Sequence, residues 1–157
     1  MSENFERLKA HILPLSEEQR YFEKAKREWK LVGVELSEEL DNCPCGQEIR
    51  EHCYIENTIN GNRTYVGNVC INQFIGIDTG NLFAGIRRIT KDVSANANED
   101  LIEHAYRFGY IYESEHKFLM ETRHKRKLSE KQLAWKQKIN RRITNRIVVQ
   151  KRTKHPQ

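Results

Sequence analysis

Residues 43–74 read CPCGQEIREHCYIENTINGNRTYVGNVCINQF and hold all four cysteines of the chain. Cys43 and Cys45 flank Pro44, and Gly46 follows, the composition of a tight turn that presents two thiolates to one ion. Cys53 and Cys70 are separated by CYIENTI and NRTYVGNV, two strand-like runs joined at Asn60-Gly61, the dipeptide preferred by a type I′ hairpin. With Asn60-Gly61 as a two-residue loop, Ile59 pairs with Asn62, Ile55 with Val66, and Cys53 with Asn68. Strand alternation then places Cys53, Ile55 and Val66 on one face and His52 on the other. Cys70, two residues past Asn68, stays on the Cys53 side, and a loop at Gly61-Asn62 would set Cys53 directly opposite Cys70, so either way the two distant cysteines converge.

This register favours a site of four thiolates, Cys43, Cys45, Cys53 and Cys70, over three thiolates plus His52. The chemistry expected of such a set is one structural zinc ion per chain, since four thiolates leave no open position for a catalytic water. The spacing is not the common pair of CxxC motifs. The plain alternatives are four reduced, partly buried thiols, and two disulfides. The start of the chain lacks a signal-peptide pattern, which speaks against disulfides and for a cytoplasmic setting.

Knuckle, hairpin and a short helix from near Cys70 form a treble-clef-like module. The expected fold class is therefore α+β: that module surrounded by several α-helices and followed by a basic C-terminal helix. The organisation read from the chain is N-terminal helices over 1–42, the zinc-binding module over 43–75, a helical region over 76–124, and the basic helix and tail over 125–157.

The motifs CPCG-x-x-I, CYIEN, NGN-x-x-x-VGN-x-C and the following Phe resemble small zinc-binding proteins of tailed phages and prophages. The resemblance continues through FIGIDTGNLFAGI and LSEKQLAWKQKIN and covers roughly residues 40 to 145. It implies a metal site and a phage or mobile-element origin, with the host cytoplasm as the setting. It implies no activity and no catalytic residue.

Charge is distributed unevenly. The formal net charge of +5 resolves into −3 over residues 1–42, −1 over 43–75, −3 over 76–116 and +12 over 117–157, counting Lys and Arg against Asp and Glu. A mildly acidic body ending in a concentrated basic segment points to a polyanionic partner, most simply nucleic acid, DNA or RNA. The residues expected to meet phosphates are Lys125, Arg126, Lys127, Lys131, Lys136, Lys138, Arg141, Arg142 and Arg146. Trp135 and Tyr112 are candidates to stack on an unpaired base. A second class of function is an interaction module for a host or phage complex, such as RNA polymerase, a nuclease or a replication assembly, with the isoleucines of the last helix as the docking face. The plain reading of the same charges is a solvated face. An enzyme is not expected: His52, His104 and His116 with Glu103, Glu113 and Glu115 match no recognised catalytic motif. No apolar run approaches the ~20 residues needed to cross a bilayer.

Along the chain, apolar spacing predicts a helix over 3–12 that Pro14 ends. Ser16-Glu17-Glu18-Gln19 reads as a capping box opening a helix to about Lys30, with Phe22, Ala25 and Trp29 on its inner face. LVGVEL reads as a strand beside the hairpin. Helices are expected over 81–90, from an Asn98 cap to Gly109, over 113–124, and from a Ser129 capping box to about residue 149. The last places Leu133, Ile139, Ile143 and Ile147 along one side. The tail KRTKHPQ is expected to be disordered.

Overall fold

A computed structural model describes residues 2–151. The chain parts into two units at Thr79 and Gly80. The described residues form α-helices and one three-stranded antiparallel sheet, so the α+β class holds. The expectation for the tail falls on residues 152–157, outside the described residues.

The first unit opens with α1 (Glu3–Leu15), capped by Ser2, whose side chain accepts from Phe5 N–H. Pro14 lies inside the last turn instead of ending the helix before it. Ser16 does not open the next helix. Its hydroxyl donates back to Ile12 O and accepts from Trp29 Nε1, and Glu17 and Glu18 give their N–H groups to the buried Glu28 carboxylate. With the amides of that segment bound to a distant acid, no helical turn forms there. The chain then makes a single helical turn, α2 (Phe22–Ala25), and a 3-10 turn over Lys26–Glu28. Trp29, expected on a helix, starts the long strand β1 (Trp29–Asn42), which includes LVGVEL.

Strand β1 pairs with β2 (Glu48–Asn57), which pairs with β3 (Arg63–Val66). The observed hairpin register is two residues from the expected one: Cys53 faces Val66, Ile55 faces Thr64, and Glu56 faces Arg63. A type I′ turn needs positive φ at both Asn60 and Gly61, but only Gly61 has it, at 79°. The loop is longer because the Asn57 side chain accepts from Ile59 and Asn60 N–H, while Asn57 N–H donates to Asn62 O. Asn60 and Asn62 then donate to Leu15 O, tying the loop to the end of α1. A slip of two residues preserves strand alternation, so Cys53, Ile55 and Val66 still share the buried face. After β3 comes α3 (Asn68–Ile75), closed by the left-handed Gly76. Its Phe74 packs against Phe22 and Trp29, with centroids 5.6 and 6.4 Å apart. Together with Leu8, Ile12, Ile55 and Ile71, these side chains make the core of the unit.

The second unit is helical: α4 (Gly80–Lys91), α5 (Glu99–Arg107), α6 (Glu113–Thr122) and α7 (Glu130–Thr144). Asn98 caps α5 and the Ser129–Gln132 capping box opens α7, both as the sequence predicts. Phe83, Leu101, Ile102, Ile111, Leu119, Ile139 and Ile143 form the core. Helix α7 ends about five residues earlier than expected, at Thr144. Arg146 takes a left-handed φ of 52°, and Val149 and Gln150 N–H both donate to Gly109 O. The chain therefore leaves the helix to lie over Gly109, where an added Cβ would collide with Gln150 O. Ile147, expected on the apolar stripe, is 51% exposed.

Candidate metal centre and basic surface

The CPCG turn joins β1 to β2. Cys43 N–H donates to Gln47 O and Gly46 N–H to Cys43 O, and Gly46 adopts φ 99°. Arg7 of α1 crosses above this turn, its guanidinium 2.5 Å from where a Gly46 Cβ would be. Cys70 arrives from the first turn of α3. Gly67, immediately before that helix, approaches closely enough for its N–H to donate to Cys43 Sγ at 3.3 Å. A side chain at Gly67 would meet Ile49 at 2.9 Å, so this approach depends on glycine.

Sγ atoms of Cys43, Cys45 and Cys70 lie within 4.8 Å of one another, all buried. Cys43 and Cys70 are 3.6 Å apart. Two thiolates on a tetrahedral zinc with bonds of about 2.3 Å stand roughly 3.8 Å apart, so the spacing suits a shared ion. All four cysteines are free, so the disulfide alternative is not realised. The electrostatics fit the same picture: the hydrogen bond between the Cys43 and Cys70 sulfurs pulls the Cys43 thiol well below its ordinary value, helped by the N–H groups of Cys45 and Gly67, and holds the Cys70 thiol up. A metal replacing that shared proton would satisfy both sulfurs. Three close, buried cysteines can thus hold a metal ion.

Cys53, the fourth expected ligand, lies outside this trio. It faces inward from β2, fully buried, and burial pushes its thiol up to about 12. Thr79 stands beside it, close enough to favour the thiolate, yet its buried hydroxyl oxygen makes no formed hydrogen bond. Glu51, on the same face of β2, lines a cavity of about 90 Å³ together with Cys43, Cys45 and Cys70. His52 points to the other face, as alternation requires. It packs on Tyr65 with centroids 4.9 Å apart and reaches Asp41 at 3.2 Å.

Of the nine expected phosphate-contacting residues, two are engaged inside the second unit. Lys136 is 5% exposed and donates to Asn96 Oδ1 at 2.8 Å; burial lowers its pKa. Arg142 pairs with Glu115 through Nη1 and Nη2, at 2.5 and 3.1 Å, and Nη1 also donates to Tyr110 O. Trp135 also donates to Glu115 and stacks on Phe118 with centroids 4.3 Å apart. Burial pushes the Glu115 carboxyl up, but Arg142, Tyr112 N–H and Trp135 more than offset this and leave it below its ordinary value. The other seven residues are exposed. Of these, Lys125, Arg126, Lys127, Lys131, Lys138 and Arg141 have no acidic partner among the described residues. At about 100° per residue, Lys131, Lys138 and Arg141 fall within roughly 80° of arc on α7.

Sequence reasoning missed the roles of Glu28, Thr79 and Glu115. Glu115 carries a local signal, since it stands three residues after Tyr112 and accepts that residue's N–H as an N3 glutamate would. Glu28 and Thr79 carry none. Among the described residues, no helix is long and apolar enough to cross a membrane. Comparison with known proteins adds no relative: no family model, curated protein or solved structure matches this chain.

Proposed function

We propose that this chain is a zinc-stabilised nucleic-acid-binding protein. In this reading one structural zinc is held by Cys43, Cys45 and Cys70, with Cys53 as the fourth thiolate, in a treble-clef-like arrangement of turn, hairpin and α3. The 3.6 Å Cys43–Cys70 spacing supports the shared ion. The orphaned Thr79 hydroxyl supports the fourth ligand, because a Cys53 thiolate drawn onto the metal would accept its hydrogen. The zinc serves as a folding clamp for a unit with a modest core. Phage origin and a cytoplasmic setting belong to the same proposal.

The observation that carries nucleic-acid binding is the charge partition. Residues 1–79 hold nine Lys and Arg against fourteen Asp and Glu, whereas residues 80–157 hold eighteen against eight. Six cations of the second unit stand exposed without acidic partners among the described residues, more than solubility of a small unit requires. Protein titrated with labelled nucleic acid over a range of salt tests this reading. Binding that weakens steeply with salt is the expected result. A second reading, docking on a protein complex, draws on exposed Ile147 and Val148 beside the same helix. Binding to such a partner that resists salt would favour it.

A further inference from the structure

The nucleic-acid reading leaves open which form of nucleic acid the surface takes, and the packing of the aromatic rings bears on that choice. Binders of single strands combine a basic groove with aromatic faces on which bases stack. Rings of the second unit pack against neighbouring side chains. Trp135, which the sequence sets among lysines, lies flat on Phe118, with 18° between the rings, and its Nε1 is bound to Glu115. Tyr106 packs on His116 with centroids 4.6 Å apart, and Phe108 packs on His104 at 4.5 Å. Tyr110 is buried. Tyr112 is the one exposed aromatic side chain of the unit among the described residues, at 46%, and the Arg142 guanidinium covers its ring at 5.8 Å.

Helix α7 presents exposed cations to solvent. Lys131, Lys138 and Arg141 lie along α7 over ten residues, a rise of about 15 Å. Lys125, Arg126 and Lys127, in the segment before α7, are exposed as well. A duplex strand advances about 3.4 Å along its axis per phosphate, so a helix lying along it would pass roughly four phosphates. Cations spread over one side of a helix, in a unit whose rings pack against neighbouring side chains, suit a stiff polyanion whose bases are already stacked on one another.

We propose that this surface takes duplex nucleic acid, held through its phosphate backbone without base stacking. The inference rests on the nucleic-acid reading and narrows it. The test uses the full chain loaded with zinc and labelled hairpin duplexes of DNA and of RNA, beside single strands of the same length, read by fluorescence anisotropy across a salt series. At least one duplex is expected to bind about tenfold tighter than its single strand, with a slope of log K against log salt of up to about −5 for six phosphate contacts. Replacing Lys138 and Arg141 together by Gln is expected to flatten that slope by up to about 2, while Tyr112→Ala leaves duplex affinity unchanged. Single strands that bind as tightly as the duplexes, or a Tyr112→Ala variant that loses binding, overturn the duplex inference and leave nucleic-acid binding standing. If no probe binds at low salt, the nucleic-acid reading itself falls, and the inference falls with it.

Discussion

Arg142 of α7 clasps Glu115 of α6 through Nη1 and Nη2, and both side chains are almost wholly removed from solvent. A cation that looks like a phosphate contact in the sequence is therefore a strut between two helices. Breaking one side of such a pair strands a buried charge, which typically costs about 3–5 kcal/mol. Arg142→Met is expected to lower unfolding free energy by about that much in chemical denaturation. Pairing it with Glu115→Leu is expected to recover part of the loss. A single variant as stable as the parent would show that the clasp contributes nothing.

The proposed zinc site predicts an ordered set of losses. Cys43→Ser, Cys45→Ser and Cys70→Ser are each expected to abolish stoichiometric zinc and unfold the first unit, because zinc binding and folding in such modules are coupled by on the order of 10 kcal/mol. Cys53→Ser is expected to weaken zinc binding, and Thr79→Val to weaken it less. Elemental analysis with competition against a chelator reads all five variants. Full zinc retention in Cys53→Ser would leave three thiolates as the protein's ligands and remove Cys53 from the set.

His52→Ala is expected to keep zinc at full stoichiometry, since its ring faces Tyr65 and Asp41 on the far side of the sheet. Its loss should cost about 1–2 kcal/mol of stability through the aromatic contact and the hydrogen bond. Loss of the metal in this variant would mean a slipped strand register.

His104 gives the second unit a pH dependence. Burial, with Arg107 adding to it, pulls the pKa of this residue down from 6.5 to about 4. The folded state thus favours the neutral ring, and the unfolded chain takes up the proton first. The contribution is fully present above pH 6.5 and is lost as pH falls from there toward about 4, at roughly 1.4 kcal/mol per pH unit. Denaturation followed from pH 7 to pH 4 should show this decline, and His104→Phe should flatten it. An unchanged slope in that variant would assign the decline to other groups.

Short-range chemistry is legible in the chain alone. The CPCG turn, the Asn98 and Ser129 caps and the break at Gly109 are written in adjacent residues whose hydrogen bonds close within a few positions. Strand alternation sets the faces of Cys53 and His52 even though the loop register lies two residues away from the expected one, because a slip of two leaves every side chain on its own side. Packing in three dimensions settles what distant partners compete for. Ser16 and its neighbours look like a helix start until the Glu28 carboxylate, ten and eleven residues on, takes the amides of Glu18 and Glu17. Trp29 looks like a helical core residue until pairing with Asn57 draws it into a strand. Lys136, Arg142 and Trp135 look like a nucleic-acid surface until Asn96, Glu115 and Phe118 occupy them. A charge or a ring carries the same local signature whether it meets solvent or a buried partner. Which of the two it meets depends on the packing of segments that lie far apart in the chain.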